Sequence, residues 1–197
     1  MKVLIACEYS GVSRRAFEAL GHEVWSADFE PAEDGAINHY QGDCFDLIER
    51  EHFDLMIAHP PCTDIAVSGA AWFKEKIADG RQQRALDFVQ RLMSAPIDRI
   101  AIENPVSVIS SKIRKSDQII QPWMFGHKEQ KATCLWLKNL PKLVETNNVK
   151  QEMMLLPKIE RERLHYLPPS PTRWKERSRT YQGIADAWAM QWGGIAI

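Results

Sequence analysis

The sequence has no long apolar segment and no closely spaced cysteines. None of its apolar runs approaches the roughly 20 residues that a membrane-spanning helix needs, and only five consecutive apolar residues precede Glu8, too few for a signal peptide. The four cysteines include no Cys-x-x-Cys pair and no His spacing of the zinc-finger kind. We therefore expect a soluble, cytoplasmic protein with reduced thiols, without a bound metal and without membrane contact.

A strong net charge is also missing. The chain has 25 basic and 26 acidic residues, which argues against a polycationic nucleic-acid binder, although a neutral total can include a local basic surface. There is no internal repeat and no low-complexity tract. Because 197 residues suffice for one α/β domain and leave no room for two ordinary ones, we expect a single active site.

Short apolar segments alternate with helical patterns along the first part of the chain. Residues 2–6 are predicted to form a strand, followed by a turn at Gly11 and a helix that ends near Gly21. Further strands are predicted at 22–28, 53–59 and 98–104. Such alternation favours a mostly parallel sheet with helices on both faces.

The second half of the chain is less regular. Apolar residues within 85–93 follow helical spacing, 131–141 is predicted to be a strand, and 181–193 a helix. The Pro-rich, basic stretch 164–180 is predicted to be a loop.

Polar residues stand where the predicted strands end. In a parallel sheet these ends share one edge, and ligands bind in the crevice beside it. Asp28 follows Gly11 by 17 positions, near the spacing at which an acidic side chain binds the ribose of an adenosine-type cofactor. The residues at this edge are Glu8, Ser10, Asp28, Asp43, Cys62 and Glu103.

Cys62 follows a strand that stops at two prolines. A thiolate is a strong nucleophile, and a rigid corner would hold it toward a crevice; alternatively, Cys62 is an ordinary buried cysteine. Glu103 ends another strand, in IAIENP, so that it lies beside the thiol if the two strands are neighbours. His59 could act in proton transfer, but strand-end histidines more often only satisfy backbone groups.

These segments resemble the motifs of DNA cytosine-5 methyltransferases, in the order of that family. HPPCTDIAVSG is similar to the Pro-Cys catalytic motif and IENP to the Glu-Asn-Val motif. ACEYSGV is similar to the glycine-containing cofactor loop, SADFEP to the ribose-binding strand end, and QGDCFDL to the segment near the adenine. The small size is similar to that of phage-encoded members.

The resemblance implies a Rossmann-like S-adenosylmethionine-dependent methyltransferase fold and a residue assignment. Cys62 would add to carbon 6 of the pyrimidine, and Glu103 would bind the base at N3 and its exocyclic amine. Nucleic acid, most simply DNA with a flipped base, would be the substrate. The implied S-adenosylmethionine-binding residues are Glu8, Ser10, Gly11, Asp28, Phe29, Asp43, Cys44 and Pro60. The implied substrate-binding residues are Asn104, Lys131, Thr133, Arg173, Lys175, Arg177 and Arg179.

Several positions depart from the family. The glycine loop keeps only Gly11, Thr63 follows the cysteine in place of Gln, and Pro105 replaces Val. Lys131 and Thr133 stand where the family commonly has arginines. The resemblance divides the chain into a catalytic core (1–140), a short recognition segment (141–180) and a C-terminal helix packed on the core (181–197). Whether the chain acts as a monomer or a homodimer is open.

The stretch 157–180 contains seven basic and three acidic residues, with Tyr166 and Trp174 available to stack on bases. It could equally be an ordinary solvated loop. Two other functions stay open. The same thiol could modify RNA, single-stranded DNA or a nucleotide, or the chain could be a degenerate methyltransferase fold that only binds nucleic acid.

Overall fold

A seven-stranded sheet forms the centre of the molecule in the computed structural model, which describes residues 1–194. The order is β3-β2-β1-β4-β5-β7-β6; β7 is antiparallel to both of its neighbours and the other pairs are parallel. The predicted Rossmann-like α/β class is thereby confirmed. The strands are β1 (Lys2–Ala6), β2 (Glu23–Asp28), β3 (His39–Gln41), β4 (Leu55–Ala58), β5 (Arg99–Pro105), β6 (Gln118–Ile120) and β7 (Thr133–Lys138).

Ten α-helices are found within residues 1–194, several of them a single turn long. They are α1 (Val12–Glu18), α2 (Cys44–Arg50), α3 (Phe73–Ala78), α4 (Arg81–Met93), α5 (Ile109–Lys112), α6 (Lys150–Met154), α7 (Lys158–Arg161), α8 (Arg163–Tyr166), α9 (Arg173–Ser178) and α10 (Gln182–Gly193). Short 3₁₀ helices span Val67–Trp72 and Pro122–Met124. None of the helices in this part of the chain has both the length and the apolar character needed to cross a bilayer.

The two faces of the sheet are covered by different helices. Because side chains alternate along a strand, Val3 and Ile5 pack with α1 and α10, whereas Leu4 and Ala6 pack with α2 and α4. The central strands are apolar on both faces, as expected for a covered parallel sheet. Trp188 of α10 is 1% exposed, and α10 covers this face of the sheet. Glu103 points toward the same face, because side chains alternate along β5 and Ala101, two residues earlier, packs there.

The strand order has a switch point between β1 and β4. From β1 the chain runs outward to β2, and it then crosses back to place β4 on the other side of β1. At such a switch point the connecting loops separate at the carboxyl ends of the strands and leave room for a ligand. The residues after β1, β2, β4 and β5 therefore meet at one edge, as predicted.

Some predicted elements were wrong or incomplete. The stretch 164–180, predicted as a loop, contains α9 and most of α8. The predicted strand 131–141 is shorter, because the backbone leaves the sheet at Asn139, where φ is 53°. The short strands β3 and β6 were not predicted. Residues 195–197, which the division by resemblance assigns to the C-terminal segment, lie outside the described residues.

Candidate active site

The corner after β4 carries the predicted nucleophile. The side-chain amide of Asn104 donates a hydrogen bond of 2.8 Å to the carbonyl oxygen of Pro60, which ties this corner to the end of β5. Beyond the prolines, the Cys62 carbonyl accepts hydrogen bonds from the amides of Ile65 and Ala66 at 3.1 and 2.8 Å. Cys62 is partly exposed. The corner is therefore fixed from both sides, and the residue that carries the thiol keeps part of its surface exposed.

Glu103 stands at the neighbouring strand end. Strands β4 and β5 are adjacent and parallel, with Ala58 in register with Ile102, so the residue that follows Ile102 lies beside the corner. The Glu103 side chain is 15% exposed, and its Oε2 lies 3.0 Å from Nδ1 of His59. From the sequence, a role of His59 in proton transfer was expected to be less common than a structural one. Its position between a buried strand and Pro60 was a usable signal, but its partner is 44 residues away.

Charges around this pair act on both groups. Burial raises the pKa of the Cys62 thiol and the negative charge of Glu103 raises it further, while the positive charges of Lys131 and Arg177 lower it in part. Burial also raises the pKa of Glu103, but the hydrogen bond and charge of His59 and the charge of Lys131 outweigh this and leave the pKa below its usual value. The structure thus brings together a thiol, a carboxylate and two basic side chains.

The predicted cofactor side of the crevice begins at the end of β2. Oδ1 of Asp28 accepts a hydrogen bond of 2.9 Å from the Glu30 amide, and the adjacent Phe29 is 74% exposed. Asp43 caps α2 by accepting from the Phe45 amide at 3.0 Å. An acid, an open aromatic ring and a helix-capping acid along one edge fit the ribose and adenine of an adenosyl cofactor in donor and acceptor chemistry.

Cys44 links this edge to β1. The pKa of Cys7, the residue directly after β1, is raised well above its usual value by a hydrogen bond with Cys44, by burial and by the negative charges of Asp28 and Asp43. These four side chains therefore surround the carboxyl ends of β1 and β2. Cys44 itself is 4% exposed and packs in the hydrophobic core beneath this edge.

Glu8 has a role that its place in the loop did not indicate. Its carboxylate accepts hydrogen bonds from the amides of Ser13 and Arg14 at 2.7 and 3.2 Å and from the Ser10 hydroxyl at 3.3 Å. It therefore satisfies the first free N–H groups of α1. Gly11 adopts the left-handed conformation with φ 69°, and a Cβ there would lie 2.6 Å from the Arg15 guanidinium. This loop is held by its own side chains.

The basic segment folds back over the same edge. Tyr9, in the loop after β1, donates a hydrogen bond of 3.1 Å to the Lys175 carbonyl, and its ring lies 5.6 Å from that of Trp174. Lys175 pairs with Glu30 at 3.4 Å, and Arg179 pairs with Glu33 at 2.6 Å. Of the four basic side chains in this segment that were predicted to bind nucleic acid, two are thus paired with acids.

The remaining predicted residues have different surroundings. The Lys131 ammonium donates to the Arg177 carbonyl at 2.9 Å, and the charges of both residues lower the pKa of Cys62. Thr133 is buried, and its hydroxyl donates to the Lys131 carbonyl at 3.2 Å. Arg173 donates to the His165 carbonyl at 3.3 Å, so it is held within its own segment. Asn104 is 1% exposed and reaches Pro60 rather than the open crevice.

A buried lysine anchors the segment between Cys62 and α4. Lys76 of α3 is buried; its ammonium donates to the Thr63 carbonyl and lies 3.5 Å from an Asp64 oxygen. A buried ammonium requires such partners. Sequence reasoning missed this lysine, which anchors α3 to the two residues directly after the predicted nucleophile.

The chain is similar in fold to solved structures of other proteins. No family model and no curated protein matches the chain. A prophage-encoded E. coli protein, provisionally described as a DNA modification methyltransferase, is similar at 16% identity with a TM-score of 0.49. The alignment covers 81% of this chain and 56% of that chain, so this chain spans little more than half the length of that protein.

Proposed function

We propose that the protein is an S-adenosylmethionine-dependent methyltransferase that modifies carbon 5 of cytosine in DNA. The observation that carries this proposal is the position of Cys62 and Glu103 at adjacent strand ends, on the same edge of the sheet as Asp28 and Phe29. When bound, S-adenosylmethionine supplies an electrophilic methyl group. The order of the motifs along the chain supports the same assignment.

Cys62 acts as the nucleophile. Its thiolate forms a bond to carbon 6 of the pyrimidine, and the electrons of the carbon 5–carbon 6 double bond move onto carbon 5. Carbon 5 would then take the methyl group, with S-adenosylhomocysteine as the leaving group. Loss of the carbon 5 proton to a base expels the thiolate and restores the double bond. Because the pKa of Cys62 is raised in the protein, Lys131 and Arg177 are the side chains that oppose its protonation.

Glu103 binds the base. Its carboxylate is oriented by the His59 hydrogen bond. It would accept hydrogen bonds from the exocyclic amine of cytosine and from N3 once N3 is protonated, which neutralises the negative charge that thiolate addition places on the ring. Asp28 would accept hydrogen bonds from the ribose of the cofactor, and Phe29 would stack on the adenine. Glu8 would support this site indirectly by capping α1.

A trapping experiment tests the proposal. We would incubate the protein with S-adenosylmethionine and an oligonucleotide that contains 5-fluorocytosine, whose carbon 5 substituent cannot leave as a proton, and detect the covalent adduct by mass spectrometry. Wild type and Cys134→Ala, which removes a buried thiol of β7, should form the adduct. Cys62→Ala should not. An adduct that persists in Cys62→Ala, or none on duplex, single-stranded DNA, RNA or nucleotide, would overturn the proposal.

A second candidate keeps the chemistry and changes the substrate to single-stranded nucleic acid, RNA or a pyrimidine nucleotide. It is favoured by the ion pairs of Lys175 and Arg179 with Glu30 and Glu33, which reduce the positive charge available for a duplex backbone. Competition of unlabelled duplex DNA, single strands, RNA and nucleotides for the trap separates the two candidates. Selective competition by duplex DNA supports the first candidate.

A further inference from the structure

His59 is more deeply buried than the strand-end position suggests. Its side chain is 9% exposed, and its ring lies 5.5 Å from that of the buried Trp188 of α10. The residue directly follows β4 and directly precedes Pro60. Its backbone is therefore fixed by the sheet and the proline, and its ring is fixed by α10, which leaves the imidazole little freedom to turn.

The contacts of Glu103 are few. Glu103 interacts electrostatically with four titratable groups. His59 and Lys131 lower the pKa of Glu103, and the charge of Glu103 raises the pKa values of Cys62 and Cys134. Within residues 1–194, only His59 is hydrogen-bonded to the carboxylate, through Oε2. Lys131 acts on it by charge. The orientation of the carboxylate therefore depends on one neighbour.

We propose that His59 is the positioning residue for Glu103, holding Oε2 through Nδ1–H so that Oε1 is left for the pyrimidine. The inference rests on the proposed role of Glu103. An ionised carboxylate only accepts hydrogen bonds, so the proton of the shared hydrogen bond belongs to Nδ1. Without this donor, the buried carboxylate would lose its hydrogen bond, turn and bind a proton more readily.

Two variants separate positioning from a general structural role. Asn at position 59 can place its amide nitrogen where Nδ1 lies, so His59→Asn keeps the donor. His59→Leu keeps a comparable apolar volume and removes the donor. Carbon-13 NMR of labelled glutamate side chains, with Glu103→Gln to assign the resonance, then reports the pKa of Glu103 without substrate. We expect this pKa to stay below its usual value in wild type and His59→Asn and to rise above it in His59→Leu.

The trapping rate provides the functional measurement. We expect His59→Leu to slow formation of the Cys62 adduct by about 100-fold, the loss typical of a misplaced active-site group, and His59→Asn to slow it by less than about tenfold. An unchanged Glu103 pKa in His59→Leu, or equal defects in both variants, would overturn the proposal. If wild type forms no adduct but the pKa moves as expected, the positioning role stands and the proposed function fails.

A measurement on the wild type covers the case in which His59→Leu does not fold. Nitrogen-15 NMR of labelled histidine distinguishes the two ring nitrogens. We expect a protonated Nδ1 at pH 7 in wild type. An imidazole protonated only at Nε2 could not donate to the ionised carboxylate and would exclude the positioning role.

Discussion

The side-chain amide of Asn104 donates a hydrogen bond of 2.8 Å to the carbonyl oxygen of Pro60. This contact joins the residue after Glu103 to the corner that precedes Cys62. His59 and Glu103 form a second bridge between the same two strand ends at 3.0 Å. Together, the two bridges fix the separation between the predicted nucleophile and the predicted base-binding carboxylate more tightly than the sheet alone would.

Asn104→Ala should loosen this corner. The substitution leaves the buried Pro60 carbonyl without a partner, which costs about 1–3 kcal/mol of unfolding free energy. We expect slower formation of the Cys62 adduct and a lower melting temperature. Asn148→Ala is the control, because the exposed Asn148 side chain contacts Glu145 and the Lys150 amide, neither of which belongs to the site. Equal adduct rates for wild type and Asn104→Ala would show that the contact does not position the thiol.

Removing the positive charge of Lys131 should shift the pH dependence of the thiol. Lys131 lowers the pKa values of both Cys62 and Glu103, so Lys131→Met should raise both. Because the thiolate is the reacting form, the pH at which adduct formation reaches half its maximum should move upward. Rates measured from pH 6 to 10, with the exposed Lys74→Met as control, check this. A shift to lower pH would contradict the electrostatic assignment.

The edge that carries the site could be predicted from the sequence because it depends on local signals. Apolar runs that stop at Asp28, Pro60 and Glu103 are visible in the sequence, and parallel strands bring their ends together. The antiparallel insertion of β7 could not be predicted, since Thr133–Lys138 has the same apolar character whichever neighbour it pairs with. Strands as short as His39–Gln41 are too brief to show a period.

The directions of the side chains could not be predicted from the sequence. Glu8 was expected to face the cofactor, but its carboxylate turns back to cap α1; an acid five residues before the amide that it binds matches no common capping spacing. His59 and Glu103 are separated by 44 residues, and only the fold shows that they meet. The helices around Arg173 are stabilised by contacts such as Tyr9 with Trp174, rather than by helical periodicity.

The end of β2 should control cofactor affinity. If Asp28 binds the ribose, Asp28→Ala should weaken binding of S-adenosylhomocysteine by about 10- to 100-fold, the loss of one or two hydrogen bonds to a charged group. Phe29→Ala should weaken it by about tenfold through lost stacking. Isothermal titration calorimetry measures both, with the exposed Asp87→Ala on α4 as control. Unchanged affinity in both variants would place the cofactor elsewhere.

Gly183 should be essential for docking of α10. A Cβ at this position would lie 2.0 Å from the Phe125 carbonyl oxygen. The helix would therefore have to shift from its packed position against the sheet. Alanine favours helices by about 1 kcal/mol, but the clash should dominate and cost Gly183→Ala about 1–3 kcal/mol in unfolding free energy. Urea unfolding checks this. Gly69→Ala, whose Cβ would have only ordinary contacts of 3.5 Å or more, should change stability by less than about 0.5 kcal/mol.

The basic residues of α9 and its C-terminus should contribute unequally to nucleic-acid binding. Arg177 has no acidic partner within salt-bridge distance among residues 1–194, whereas Arg179 is paired with Glu33 at 2.6 Å. Each phosphate neutralised by a basic side chain adds about one to the slope of log affinity against log salt concentration. We expect Arg177→Gln to reduce this slope by about one and Arg179→Gln to reduce it by much less, in fluorescence anisotropy with one labelled oligonucleotide. Equal reductions would mean that the Glu33 pair opens when nucleic acid binds, and no reduction in either variant would place the phosphate contacts outside this segment.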